Sequence, residues 1–388
     1  RGSGRLRRMR KEAERYMTGI LTFHWADDYG AMLQAYALKT YLEGLDGERV
    51  EVIPYAPVRM EGRYRLFPIT AAERDKKTIY FFGVWEFARN MSHLPAYLKR
   101  RKNMRNFRCR YLTAEPAVRS AGKISLKKYA YVFVGSDQVW NPEITVGLDQ
   151  AYIGNIKEKG KCRLAAYGAS FGKDSLPEKY HADFEKAVKQ NFSGISMREK
   201  SAVPFVKNFF QGNVTDVLDP TLLLKAKEWE KIGKAPRHEH YILFVYTEYN
   251  ALMIQYLHDL SVKLKKKVIQ VSMPWLGQRE GWINLEIKGG PSEFVGFFQK
   301  ADYVVTNSFH GMVFSILMEK KFLVFGHSNK NARMENFLEK IDLKSRLVEK
   351  GRMPAEEEML REIDWGRAGE LIEKERRHSM DYIKSMLA

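Results

Sequence analysis

The sequence predicts an α/β protein built from two Rossmann-like parallel-sheet domains that face one another across a cleft. Short apolar runs ending in Gly, Ser, Asp or Arg recur along the chain and alternate with segments of helical periodicity. A polar stretch, KAKEWEKIGKAPRHEH at 225–240, separates these runs into two series. The length of 388 residues also exceeds the size at which a single core usually stops growing.

Residues 1–16 read as a basic, disordered leader. The run GILTF then predicts a strand, HWADDYG a turn, and AMLQAYALKTYLEGL a helix with Leu38, Tyr41, Leu42 and Leu45 on one face. VEVIPY closes a βαβ unit, which requires a parallel sheet. Residues 56–128 read as helical. Within them TIYFFGVWEFARN is taken as an aromatic core helix flanked by a solvated basic loop, ahead of the alternative that it rests on an anionic membrane. The strand rhythm resumes in YVFVGSDQVWNP, RLAAYGASFG, GISMREK and VTDVLDPTLLL, completing an N-terminal domain over 17–230. YILFVYT, KKVIQVSM, SEFVGFFQKA, DYVVTNSFHG, GMVFSILMEK, KFLVFG and NARMENFLEK make a second domain over 231–345. The charged stretch 346–388 reads as terminal helices that fold back on the first domain.

Lys and Arg number 65 against 47 Asp and Glu, a net charge of +18 that favours anionic partners. The two cysteines, Cys109 and Cys162, have no CxxC or His-Cys spacing, so neither a disulfide framework nor a metal site is expected and a cytoplasmic setting fits. No run of about 18 apolar residues occurs, so any membrane contact would be peripheral, at the inner face. GxGxxG, GxxxxGK[ST] and HExxH are absent, which removes the main support for dinucleotide, P-loop and zincin readings.

DYVVTNSFHGMVFSILMEKKFLVFG sets His310 and Gly311 at the turn from a buried strand into a helix N-terminus. Free backbone N–H groups and the helix dipole suit a phosphate or carboxylate there, and an imidazole exchanges protons near neutral pH. The alternative is a helix cap with a tight-turn glycine. Asp137 in VGSDQVWNP, with Asn141 beside it, is placed either to engage sugar hydroxyls or to form a turn. Arg198 in SGISMREKSA can grip an anion bidentately or pair with a neighbouring acid. Asp219 in VLDPTLLL precedes a proline and reads as a turn-former ahead of a catalytic group. His24, Asp27, Asp28, Tyr29 and Gly30 lie between the first strand and its helix.

In order, TFHWADDYGAMLQAYAL, VGSDQVWNP, AAYGASFG, ISMREKSA, VLDPTLLL and ADYVVTNSFHGMVFSILMEKKFLVFG resemble the polysaccharide pyruvyl transferase family from Thr18 to Leu343. The resemblance implies a fold similar to GT-B glycosyltransferases and a pyruvate ketal formed during cell-surface polysaccharide synthesis. Phosphoenolpyruvate would be the donor co-substrate, with no further cofactor, and a glycan or lipid-linked sugar the acceptor. It makes His310 the central catalytic candidate and places Gly311 in the donor site, while Asp137 is assigned to orient or deprotonate a hydroxyl. His24, Asp28, Tyr29 and Asn141 are the acceptor-side candidates. Characterised members often carry Arg two residues before this His; Ser308 stands there, so the expected anion clamp shifts to Arg198, Lys330 and Arg333. The rivals are a glycosyltransferase using a nucleotide sugar and a noncatalytic member of the family. A nucleic-acid-binding protein is set aside, since the basic residues are spread along the chain without a recognised motif.

Overall fold

The computed structural model describes residues 17–45, 49–74, 77–271, 280–286, 288–326 and 332–388, so the leader 1–16 lies outside the described residues. Strands β1 (Met17–Leu21) and β2 (Val50–Val52) precede a hairpin of β3 (Ile69–Arg74) and β4 (Lys77–Phe82). β5 (Tyr129–Val134), β6 (Arg163–Ala169), β7 (Phe192–Met197) and β8 (Asn213–Asp216) complete a parallel six-stranded sheet in the order β2-β1-β5-β6-β7-β8. The second sheet comprises β9 (Tyr241–Val245), β10 (Val268–Val271), β11 (Ile283–Glu286), β12 (Ala301–Thr306), β13 (Lys321–Phe325) and β14 (Leu347–Val348). Its order is β11-β10-β9-β12-β13-β14, again parallel. The two parallel sheets give the expected pair of Rossmann-like domains. Parallel strands covered on both faces read as continuous apolar runs, which is why they were visible in the sequence.

In each sheet the chain leaves a central strand in one direction and returns on its other side. The loops after β1 and β5 therefore diverge, as do those after β9 and β12, and such switch points are where open α/β sheets form ligand crevices. A shared apolar core fixes the two switch points face to face. Trp229 packs on Tyr36 of the first domain at 5.6 Å and on Phe314 of the second at 4.9 Å. Tyr29 adds a second rivet: its ring stacks on Phe294 at 4.7 Å and its hydroxyl donates to the Gly289 carbonyl at 3.2 Å.

The segment 56–128 departs from the expected helical fold. It holds the antiparallel hairpin β3–β4 before the helices Val84–Ser92 and Leu94–Phe107. Its aromatic stretch is not a core helix, because Tyr80, Phe81 and Phe82 are exposed on a ribbon of two strands and Trp85 is exposed on the helix that follows it. The basic run is a helix rather than a loop. Tyr97, Arg100, Met104 and Phe107, spaced at three and four residues, bury one face of it. At the other end β14 extends the second sheet to Val348, past the expected limit of 345, since Leu347 and Val348 pair with Val324 and Phe325. The helix Trp365–Leu387 then returns to the first domain, where Tyr382 donates to the Ala166 carbonyl at 2.8 Å and the Ser379 hydroxyl accepts the Leu218 N–H at 2.9 Å.

Candidate functional site

The facing switch points enclose a cleft of about 620 Å³, walled by Asp28, Asp137 and Gln138 on one side and Glu248, Ser308 and His310 on the other. The helix Phe309–Leu317 starts at this wall, and Ser308 caps it by accepting the Gly311 N–H at 3.3 Å. The amide of Gly311 is thus spent on the cap instead of facing a ligand, which corrects its donor-binding assignment. Gly311 is required for space: a Cβ there would lie 3.1 Å from Thr306 Cβ and 3.2 Å from Ser308 Cβ. The amides of Phe309 and His310, in the first turn, are the ones an intrahelical bond does not reach.

His310 projects from the second domain into the grip of the first. Its Nε2 is buried without a hydrogen-bond partner, 3.7 Å from Asp219 Oδ2. Its ring lies against Gly30, where a Cβ would stand 2.7 Å from His310 Cγ and closer still to Nδ1 and Cε1. Asp219 also accepts from the Thr221 hydroxyl at 2.7 Å and from Arg198 at 3.1 Å. Burial alone would raise the Asp219 pKa, but His310, Arg198 and Thr221 hold it well below the usual carboxylate range.

Arg198, its side chain 1% exposed, continues the network to Asp137 at 3.4 Å and stands 3.9 Å from Glu199. Burial disfavours its charge, and Asp137, Glu199 and Asp219 more than restore it. Its guanidinium is therefore committed to internal carboxylates, which corrects its assignment as a free anion clamp. Arg333 differs. It lies over the Phe309 ring at 3.9 Å, and among the described residues no carboxylate is recorded within ion-pair distance of it. Burial and the neighbouring Arg198 push its pKa down to about 10, which leaves it cationic at neutral pH but poorly compensated. Such a charge is relieved by an anionic ligand. Lys330 lies outside the described residues.

Of the acceptor-side candidates, Asp28 caps the helix Tyr29–Glu43 by accepting the Ala31 N–H at 2.9 Å and lines the cleft, as does Tyr29. His24 and Asn141 are corrected, because neither lines it. His24 is buried with Nδ1 3.1 Å from the Thr22 carbonyl, and burial pushes its pKa down to about 4. Asn141 accepts the Glu143 N–H at 3.0 Å and donates to Gln138 at 2.7 Å, so it positions a cleft residue from behind. Sequence reading missed Gln138, Arg63, Tyr64 and Glu248 as cleft residues, and ranked Asp219 as a turn-former. Asp219 is that as well, capping Pro220–Leu223. Among the described residues no cluster of three His, Cys, Asp or Glu could hold a metal ion, and no helix is long and apolar enough to cross a membrane.

Paired Rossmann-like domains with a charged cleft at their switch points define a two-domain α/β protein whose ligand site lies between the domains. The family model for polysaccharide pyruvyl transferase matches residues 28–329, and the chain belongs to that family. Among solved structures, Methanocaldococcus jannaschii UDP-GlcNAc 2-epimerase is 10% identical with a TM-score of 0.46, the match covering 93% of this chain and 94% of that one. Arabidopsis thaliana UGT89C1 complexed with UDP-L-rhamnose is 13% identical with a TM-score of 0.45, covering 95% of each chain. The spinosyn forosaminyltransferase SpnP is 9% identical with a TM-score of 0.43, over 94% and 95%. No curated protein gives a significant match.

Proposed function

We propose that the protein transfers the pyruvyl unit of phosphoenolpyruvate to two hydroxyls of a sugar, forming a cyclic ketal and releasing phosphate, in the cleft between its domains. One observation carries this reading: His310, Asp219, Arg198 and Asp137 converge on a chain of contacts of 3.1 to 3.7 Å, beside the poorly compensated Arg333.

The chemistry requires an acid, a base and a cation. One sugar oxygen bonds to the substituted carbon of the enol phosphate as the methylene carbon takes up a proton. The bond from that carbon to the phosphate oxygen then breaks, phosphate departs with the electron pair, and the second sugar oxygen closes the ring. Of the two hydroxyl protons, one balances the proton given to the methylene and the other leaves with phosphate. His310 is the acid, its ring oriented by the ionised Asp219. Asp137, held by Arg198, orients the attacking hydroxyl. Arg333 and the first-turn amides of Phe309 and His310 hold the donor's phosphate or carboxylate, the task for which position 308 lacks an arginine.

The test is phosphate release from phosphoenolpyruvate with a panel of lipid-linked and nitrophenyl glycosides, with mass spectrometry for an increment of pyruvic acid less one water. His310→Gln should cut turnover by about 10²- to 10⁴-fold at an unchanged melting temperature; near-normal turnover would remove His310 from the mechanism. Thermal stabilisation by a nucleoside diphosphate but not by phosphoenolpyruvate would replace this reading with a nucleotide-sugar transferase.

A further inference from the structure

From the hairpin and the two helices that follow it, we infer that residues 67–74 and 77–105 form an interfacial anchor that seats the protein on an anionic bilayer. This inference is independent of the reaction proposed above.

The patch is apolar where a soluble surface would be polar. Trp85 is 86% exposed, Phe82 63% and Phe81 54%, and Tyr80, Val84 and Leu98 are exposed beside them. Contiguous exposed aromatics of this kind mark an interaction surface. The base beneath them is fixed. Tyr180 and Lys179 both bond to Glu73 on β3, the Gly83 N–H donates to the Pro68 carbonyl at 2.9 Å, and Asn90 donates to the Leu66 carbonyl at 3.0 Å. The aromatics are therefore held out on a built scaffold. Tryptophan and tyrosine rings of this sort favour the boundary between headgroups and acyl chains.

Charge chooses the occupant. Over 67–74 and 77–105 the chain has eight Lys and Arg against two acids, Glu73 and Glu86. On the helix Leu94–Phe107 the buried face runs through Tyr97, Arg100, Met104 and Phe107. Leu98, Lys102 and Arg105 share the opposite, exposed face, with Lys99 adjoining, and no ion pair engages Lys99, Lys102 or Arg105 among the described residues. An isologous dimer would set these cations against their own copies, whereas anionic headgroups complement them and aromatic side chains enter the layer beneath. The same helix supports the cleft wall, since Tyr97 donates to the carbonyl of Tyr64, a cleft residue, at 3.0 Å. A protein seated this way holds the Arg63–Tyr64 side of its cleft close to the membrane.

The experiment is co-sedimentation of the full chain with vesicles of phosphatidylcholine alone or mixed with phosphatidylglycerol. Binding to the mixed vesicles at low salt, weakened as salt rises, is expected. The Lys99→Gln/Lys102→Gln/Arg105→Gln variant should partition about a hundredfold more weakly, at about fivefold per cation removed. Quenching of tryptophan emission by brominated acyl chains should be strong in the parent and largely lost in Trp85→Phe. Because these side chains are exposed, melting temperatures should not change. Absence of binding to mixed vesicles at low salt, or binding unchanged in the triple variant, would overturn the inference. So would an equilibrium dimer, without vesicle binding, that Phe81→Ser/Phe82→Ser converts to monomer, since the patch would then belong to a second copy.

Discussion

Replacing Gly30 by alanine perturbs the proposed site while leaving its chemistry intact. Gly30 is the second residue of the helix Tyr29–Glu43, and on helix propensity alone alanine is favoured there by about 1 kcal/mol. The added Cβ, however, would lie 2.7 Å from His310 Cγ, whereas carbon atoms settle at about 3.5 to 4.0 Å. The imidazole must therefore move by about 1 Å or more, and that motion breaks its alignment with Asp219. A misplacement of about 1 Å at a reacting group costs on the order of 10²-fold in rate. Gly30→Ala should therefore melt close to the parent while turnover falls by about two orders of magnitude. Calorimetry and phosphate release at saturating phosphoenolpyruvate measure the two effects on one sample. Normal turnover in a folded Gly30→Ala protein would show that the position of the His310 ring against Gly30 does not matter to the reaction.

Asp219→Asn removes a buried carboxylate from Arg198 and should cost about 3 kcal/mol at pH 7, read from denaturant midpoints. Because the native pKa of Asp219 is depressed, its contribution is complete above the unfolded value near 4 and is lost only as pH falls below it; the gap between parent and variant should stay constant from pH 5 to 8. His24 governs the range above that. Its native pKa of about 4 lies below the ordinary 6.5, so stability is complete above pH 6.5 and falls by about 3 kcal/mol as pH drops toward 4. His24→Gln should flatten that slope, and an unchanged slope would exclude His24 as its source. Arg333→Gln should raise the KM for phosphoenolpyruvate more than it lowers kcat, and an unchanged KM would free Arg333 from donor binding.

The parallel sheets were legible because buried strands write themselves as apolar runs and their ends as Gly, Ser, Asp and Arg. Those same ends brought His310, Asp137 and Ser308 into view, since switch-point loops follow strands. The charge on Arg198 was not assignable from its own segment. Its partners Asp137 and Asp219 lie 61 and 21 residues away in the chain and meet it only once β5, β7 and the loop after β8 are aligned. Asp219 was hidden for a related reason, because its cap to Thr221 is local and its contact with His310 joins two domains. The hairpin was misread because its outer aromatics stay exposed, with Phe82 meeting Phe67 at 5.8 Å, yet their abundance resembled a core.

The helix Trp365–Leu387 alters what the chain's halves are. Its Tyr382 and Ser379 are bonded to Ala166 and Leu218, and Met386 fills the space left by Gly194 on β7. The first domain is thus discontinuous in sequence, assembled from described residues between 17 and 230 and from the last helix, and the polypeptide crosses between the domains twice. A single tether would leave relative motion of the domains restrained only by their contact, whereas two crossings add a second covalent link beside the apolar core they share. Cutting the chain near 230 would not release a self-sufficient first domain; it would strip that domain of the helix covering β6 and β7.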